Sequence, residues 1–174
     1  MMHVPDWYDA TSEERDVPQG GFSHEGGLDA TGIRLAVVTA RFNAAVTGAL
    51  YDGCRDELAA QGLDIEMMTA IEVPGCFELP IAAKTLAATG RYDAVICLGA
   101  IIRGDTPHFE FVSSETASGL QRAALDTGIP VIFGVLTTDN EEQALARVGG
   151  HEHKGREAAL TAIEMVHTMR RLRK

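Results

Sequence analysis

Short apolar runs alternate with longer amphipathic stretches along the chain from residue 33 onward. The apolar runs have the length and composition of buried strands, and the stretches between them repeat their apolar positions at helical spacing. Gly62, Gly90 and Gly128 stand where three of the helices should end. The pattern predicts strands at 33–39, 63–73, 93–99 and 130–136, and helices at 46–62, 77–89, 110–127, 141–148 and 155–172.

Strands that alternate with helices in this order predict an α/β fold, a three-layer α/β/α arrangement around a four-stranded parallel sheet. In such sheets, ligands bind beyond the carboxyl ends of the strands. The loops that follow the four strands are therefore the segments in which functional residues are expected.

The first 30 residues show no apolar periodicity and contain Pro5, Pro18 and several glycines. Residues 1–32 hold seven acidic residues and one Arg, so they carry −6 of the total formal charge of −10. Segments of this composition rarely bury enough apolar surface to fold alone. We predict a flexible acidic arm at 1–30 and one α/β domain at 31–174.

The net negative charge of the 174 residues disfavours nucleic acids and anionic membranes as partners. Any phosphate ligand must therefore be bound by donors at its own site rather than attracted by the charge of the whole protein. The longest apolar run, 129–136, is too short to span a bilayer, and the polar N-terminus does not resemble a signal peptide. Cys54, Cys76 and Cys97 are odd in number and lack C-x-x-C spacing, as expected of reduced thiols. These features predict a cytoplasmic protein.

The loop after the third strand carries the densest group of candidate functional residues. Gly104 lets backbone N–H groups approach an anion, Thr106 adds a hydroxyl donor, and a helix N-terminus follows directly. His108 can transfer protons near neutral pH. The segment is typical of a site for one phosphate group, although a capped turn with a surface histidine explains it equally well.

Other loops add weaker candidates. Glu78 is predicted in the first turn of a helix, where it binds a polyol or simply stabilises the helix N-terminus. A nucleophilic pair of Cys76 and His108 lacks a third orienting group, and Phe42 is as typical of a core residue as of a stacking platform. The segment 137–140 is typical of a helix-capping turn.

Several classes of chemistry have no support in the sequence. Dinucleotide-binding, Walker-type and H-E-x-x-H motifs are absent from the 174 residues. The triplet of His151, Glu152 and His153 has no further ligand at the spacing of a metal site, and a solvated loop accounts for it. We therefore predict no metal site.

Five segments in register resemble the 6,7-dimethyl-8-ribityllumazine synthase family of riboflavin biosynthesis. The resemblance runs in order from about residue 32 to the end of the chain and leaves the acidic arm uncovered. Each motif is weak alone, but their order and spacing together are specific. The segments are Arg41-Phe42-Asn43, Val73 to Pro80, Tyr92 to Ile96, Gly99 to Phe109, and Phe133 to Asn140 continuing through Arg147 and Lys154.

The resemblance implies a transferase that condenses 5-amino-6-(D-ribitylamino)uracil with 3,4-dihydroxy-2-butanone 4-phosphate, giving 6,7-dimethyl-8-ribityllumazine, phosphate and water, with no cofactor. His108 matches the catalytic acid/base, and Asp105, Thr106 and Arg147 match phosphate-binding positions. Phe42 matches the residue that stacks on the pyrimidine. The residues that match pyrimidine- and ribityl-binding positions of the family are Phe42, Asn43, Cys76, Phe77, Glu78, Ala100, Ile101, Ile102, Phe133 and Lys154.

The resemblance also implies a flavodoxin-like fold in a ring oligomer, a pentamer that in some relatives builds a decamer or an icosahedral shell. Phe133, Arg147 and Lys154 match residues that reach the site from the adjacent subunit. Cys76 replaces a common Ala or Ser. Asp105 adds a carboxylate beside the phosphate turn, which weakens phosphate binding unless Asp105 points away or pairs with Arg103.

Two alternatives to the active synthase remain at this stage. Asp105 and the acidic arm also fit a catalytically weak relative that binds lumazine or flavin, or that only forms shells. A flavin mononucleotide carrier of the flavodoxin type is disfavoured because the loop after the first strand lacks a phosphate cradle rich in Ser and Thr.

Overall fold

A computed structural model describes residues 28–150 and 152–174 of the chain. Within those residues the chain alternates strands with helices, and two short 3₁₀ helices, Ile65–Met67 and Cys76–Glu78, precede the second strand and the second helix. The strands are β1 (Leu35–Ala40), β2 (Thr69–Val73), β3 (Ala94–Ile102) and β4 (Val131–Thr138). The helices are α1 (Ala44–Ala60), α2 (Leu79–Ala88), α3 (His108–Thr127), α4 (Glu141–Ala146) and α5 (Lys154–Leu172).

The four strands form one parallel sheet in the order β2-β1-β3-β4. Every residue of β1 is buried, as expected for a central strand that is covered on both faces. Helices α1 and α5 pack together beside one apolar cluster, and α2 and α3 pack together beside the other. The predicted α/β fold class with its four-stranded parallel sheet is confirmed.

Two strand boundaries differ from the prediction by three residues or more, and the others differ by at most two. Residues 63–68 are not part of β2: Asp64 caps a 3₁₀ turn through a hydrogen bond from Glu66 N–H, and pairing with β1 begins only at Thr69. Ala100, predicted to lie in a loop, belongs instead to β3, which continues to Ile102. The extension exists because β4 is long enough to pair with it as far as Thr138.

The packed part of the chain reaches upstream of residue 31. Ala30 is fully buried and its N–H donates to the carbonyl of Gln61, while Leu28 packs against the core below α1 and α5. The carbonyl of Asp29 accepts a hydrogen bond from His167 Nε2 at 2.8 Å. Most of the predicted acidic arm, residues 1–27, lies outside the described residues.

Helix α5 begins at a buried histidine, His153, which contradicts the solvated loop predicted there; Glu152 is exposed as predicted, and His151 lies outside the described residues. His153 is only 8% exposed, and its Nδ1 accepts a hydrogen bond from Gly155 N–H at 3.1 Å. It therefore caps α5 from inside the protein. Across the described parts of the chain, no helix is both long and apolar enough to cross a membrane.

Candidate active site

A cleft of about 660 Å³ opens where β1 and β3 end and where the turn after β2 begins. Ten of the fourteen residues predicted for the site line it, because parallel strands bring their following loops to the same edge of the sheet. They are Phe42, Asn43, Cys76, Phe77, Glu78, Ala100, Ile101, Ile102, Thr106 and His108.

The segment after β1 is fixed to strand β3 and to the turn after β2. Asn43 adopts the left-handed conformation, with φ 61°, and its side-chain amide donates to the carbonyl of Ala100 at 2.9 Å. The N–H of Phe42 donates to the carbonyl of Pro74 at 3.2 Å. These bonds hold the backbone of Phe42 while leaving 72% of the residue exposed. The ring is therefore available as a stacking surface.

The turn after β2 presents a carboxylate to the cleft. Cys76, Phe77 and Glu78 form a 3₁₀ turn whose Cys76 carbonyl accepts a hydrogen bond from the buried hydroxyl of Thr116 on α3. A methyl group on Gly75 would lie 3.2 Å from Glu78 Oε2, so the carboxylate folds back over the turn. Glu78 thus stands as an acceptor for hydroxyl groups at the wall of the cleft.

The Cys76 thiol lies beneath this turn and is 6% exposed. Burial raises its pKa to about 11, partly offset by a hydrogen bond with the backbone of Ala100. Cys76 is therefore a neutral thiol at physiological pH and lacks the thiolate that nucleophilic catalysis requires. The disfavoured pairing of Cys76 with His108 gains no support from this environment.

The imidazole of His108 stands at the mouth of the cleft. His108 is the first residue of α3 and is exposed, and no hydrogen bond joins its ring to another described residue. Thr106 and Gly104 precede it in the turn between β3 and α3. The helix N-terminus and this turn supply N–H donors for an anion beside a free imidazole.

Arg103 does not pair with Asp105, the partner considered from the sequence. Its guanidinium donates to Asp139 at 2.9 Å and to Glu110, and it lies over the ring of Phe109 at 4.1 Å. Asp105 is exposed and forms no ion pair with the described residues. The carboxylate of Asp105 therefore remains in the turn between β3 and α3 without compensation from Arg103.

Four predicted site residues do not line this cleft: Asp105, Phe133, Arg147 and Lys154. Phe133 and Lys154 instead line a separate groove of about 460 Å³ between β4 and α5. The ammonium of Lys154 contacts both carboxylate oxygens of Glu157 at 2.8 Å. Arg147 is exposed at the end of α4, where it donates to the carbonyl of Gln143.

The cleft also has apolar walls that sequence reasoning missed. Phe109, Phe111 and Val112 from the first turns of α3 line it, and Phe111 is 69% exposed. Phe109 and Val112 have the spacing of an ordinary apolar helix face, and Phe111 lies in the same stretch, so nothing in the sequence marks them as site residues. Among the described residues, no group of three or more His, Cys, Asp or Glu side chains could hold a metal.

Comparison with known proteins identifies the family. The model of the 6,7-dimethyl-8-ribityllumazine synthase family matches residues 32–170. The chain belongs to this family. Enzymes named 6,7-dimethyl-8-ribityllumazine synthase are similar over 149 residues, 85% of this chain. They are 51% identical in Salinibacter ruber, 50% in Syntrophus aciditrophicus and 49% in Nitratidesulfovibrio vulgaris, and the matches cover 96–97% of their lengths.

Family membership confirms the predicted activity. As a member of this family, the protein is a transferase of riboflavin biosynthesis that forms 6,7-dimethyl-8-ribityllumazine. Nothing in these comparisons favours a flavin carrier or a catalytically weak relative. The match over residues 32–170 includes every residue predicted for the site.

Proposed function

We propose that each active site of this lumazine synthase is composite: the cleft of one subunit is completed by Phe133, Arg147 and Lys154 of the adjacent subunit in a homopentameric ring. The observation that carries the proposal is the charge of the cleft. Glu78 lines it, whereas none of the described residues that line it is a lysine or an arginine. A dianionic phosphate ester needs cations that this half-site lacks.

The missing groups lie on another face of the same chain. Phe133 is 47% exposed on the edge strand β4, and Lys154 lies beside it in the groove toward α5. Arg147 is linked to the same region because its carbonyl accepts the N–H of Lys154 at 2.9 Å. A head-to-tail ring brings this face of one subunit against the cleft of the next and repeats the contact at every interface.

Within the cleft, we assign the pyrimidine to the Phe42 ring and to the backbone of Ala100, Ile101 and Ile102. Asn43 holds Ala100 and Phe42 in position, and Glu78 accepts hydrogen bonds from the ribityl hydroxyls, next to Cys76 and Phe77. This assignment is supported by the exposure of the Phe42 ring and by the hydrogen bonds that fix its backbone.

We assign the phosphate to the turn at Asp105 and Thr106, with Arg147 arriving from the adjacent subunit. The uracil amine attacks the ketone of 3,4-dihydroxy-2-butanone 4-phosphate to give a carbinolamine, which loses water to form an imine. Phosphate then leaves by elimination while His108 transfers protons, and the enol that remains tautomerises to a ketone. The ribitylamino nitrogen attacks this ketone, and a second water leaves as the ring closes. Catalysis rests mainly on positioning two substrates and on stabilising the departing anion.

We further propose that the protein acts in the cytoplasm. Cys54, Cys76 and Cys97 are all buried free thiols, as expected in a reducing compartment. No cofactor enters the proposed reaction.

Complementation between two inactive variants tests the composite site. Purified His108→Ala and Arg147→Ala chains are each assayed for lumazine formation, then dissociated, mixed and reassembled. In a randomly mixed ring, roughly a quarter of the sites combine an intact His108 with an intact neighbouring Arg147, and activity returns to about that fraction. Arg122→Ala, an exposed arginine on α3, serves as the control and should keep full activity.

If both catalytic groups came from one chain, mixing would restore nothing, and the composite site would be wrong. Light scattering on the same samples reports the subunit number, for which we expect five. A monomer with full activity would also contradict the proposal.

A further inference from the structure

Arg103 joins three segments that meet beyond the carboxyl edge of the sheet. Its N–H donates to the carbonyl of Thr138 at 2.9 Å, and its Nε donates to Asp139 Oδ1 at 2.9 Å. Its Nη1 donates to the carboxylate of Glu110, and its guanidinium carbon lies 4.1 Å from the centre of the Phe109 ring. Arg103 thus fixes the first turn of α3 and the turn before α4 to the end of β3. We call this set of contacts the junction at Arg103.

The α3 side of this junction belongs to the subunit's own site. Gly104, next to Arg103, and Phe109, beneath its guanidinium, both line the cleft. His108 lies in the same helical turn as the two side chains that Arg103 contacts. A shift of that turn therefore moves the imidazole relative to the backbone of β3.

The α4 side leads to the residues that we assign to the adjacent site. The N–H of Asp139 donates to the side chain of Gln143 at 3.0 Å, and Arg147 donates to the carbonyl of Gln143 at 2.8 Å. The carbonyl of Arg147 accepts the N–H of Lys154. A continuous series of bonds connects Arg103 with both cations.

The positive charge of Arg103 is already paired with carboxylates at this junction. Two carboxylates, Glu110 and Asp139, contact it, and their hydrogen bonds and charges raise its pKa. A phosphate would have to compete with both of them. The guanidinium therefore binds two carboxylates on different segments at the same time. A lysine ammonium cannot replace it because it lacks the planar, divergent donors.

Exposed ion pairs contribute little to stability by themselves, and the side chain of Arg103 is 42% exposed. Its geometry has a different consequence, since active-site residues must be held within about 0.5 Å of their productive positions by supporting contacts. The three contacts of Arg103 provide such support on both sides of one junction.

We propose that Arg103 is a positioning residue that couples neighbouring active sites. It aligns His108 and the phosphate turn of its own site with the segment that supplies Arg147 and Lys154 to the next site. This inference rests on the composite site proposed above.

Rings that contain two kinds of variant chain measure separately how Arg103 affects its own site and how it affects the neighbouring site. In rings assembled from His108→Ala chains and Arg147→Ala chains, every active site takes His108 from the second chain type and Arg147 from the first. Arg103→Ala is then introduced into one chain type at a time. The unaltered mixture is assayed first, so failure of the composite site is recognised separately, as an absence of any restored activity.

In the chain that supplies Arg147, Arg103→Ala should raise KM for the phosphorylated substrate about tenfold and leave kcat nearly unchanged. In the chain that supplies His108, it should lower kcat about tenfold and alter its pH profile. An unchanged KM in the first arrangement, with the unaltered mixture active, would overturn the coupling.

Three conservative substitutions distinguish positioning by Arg103 from a general loss of stability. Asp139→Asn should reproduce only the first effect, and Glu110→Gln only the second, because each leaves the other contact of Arg103 intact. Arg103→Lys should rescue neither effect. Equal effects of Asp139→Asn in both chain types, or rescue by lysine, would show that only charge or general stability matters and would reject the proposed role.

Discussion

Gly53 on α1 leaves the space that the imidazole of His153 fills. A Cβ at residue 53 would lie 2.6 Å from His153 Nδ1, the atom that accepts the N–H of Gly155 at the start of α5. Any side chain at residue 53 therefore displaces the buried cap. Because α1 and α5 pack on the same face of the sheet, this contact links a helix start to the core.

We expect Gly53→Ala to destabilise the protein by about 1–3 kcal/mol, the usual cost of overpacking a close contact. Gly48→Ala on the same helix is the matched control, since nothing lies within 4 Å of a Cβ there. That substitution should stabilise the protein by roughly 0.5–1 kcal/mol through helix propensity. Urea unfolding at fixed chain concentration measures both. Equal effects of the two substitutions would contradict the packing role of Gly53.

The sequence predicts the core elements well because their signals are local. Apolar runs identify β1 and β4, and Gly128, with φ 67°, ends α3 where expected. The errors arise where pairing decides the structure. Residues 63–68 have no partner on β1, and Ile102 extends β3 only because Thr138 of β4 lies opposite.

For a similar reason, the sequence predicts some contacts of the site and not others. Residues that follow the strands, such as Asn43 and His108, converge as the parallel topology requires. The burial of His153 depends on a glycine one hundred residues away, and the contacts of Arg103 join loops that are distant in sequence. Neither relationship leaves a local pattern in the chain.

A second prediction concerns the close approach of β3 to the turn at Cys76. A Cβ on Gly99 would lie 2.5 Å from Cys76 Sγ and 3.3 Å from Leu79 Cδ1. We expect Gly99→Ala to cost about 2 kcal/mol in the free energy of unfolding. It should also raise KM for the ribityl substrate, because the displaced turn carries Glu78.

The double variant Gly99→Ala/Cys76→Ala removes the sulfur that causes this clash. It should recover most of the lost stability, with a coupling energy of about 1–2 kcal/mol relative to the two single variants. Denaturant unfolding and substrate KM are measured for all four proteins. Strictly additive effects would show that the sulfur does not limit the space at residue 99.

A third prediction follows from the carboxylate of Asp93. Partial burial alone would raise its pKa, but side-chain and backbone hydrogen bonds from Arg34 and the charges of Arg34 and Arg170 lower the pKa below its ordinary value of 3.8. A lowered folded-state pKa stabilises the protein above the unfolded-state value. This contribution is lost as the pH falls from about 3.8 through the folded-state pKa.

Asp93→Asn should therefore reduce the free energy of unfolding by about 1 kcal/mol at pH 7, and the difference from the native chain should vanish in acid. Asp56→Asn is the control, because the Arg55–Asp56 pair joins adjacent exposed residues. Its difference should stay within error at every pH. A difference for Asp93→Asn that grew toward low pH would have the wrong sign for this mechanism.

A fourth prediction separates the two roles of Asn43, its left-handed backbone and its hydrogen bond to Ala100. Asn43→Gly permits φ 61° and removes the donor, whereas Asn43→Ala removes the donor and adds backbone strain of about 1–2 kcal/mol. The glycine variant should thus be the more stable of the two. Both should bind the uracil substrate more weakly, because the bond to Ala100 fixes the segment that carries Phe42 to β3. Unfolding curves rank the two stabilities, and steady-state kinetics give KM. Equal stabilities would mean that residue 43 leaves the left-handed region at no cost. An unchanged KM would show that Asn43 does not position the pyrimidine.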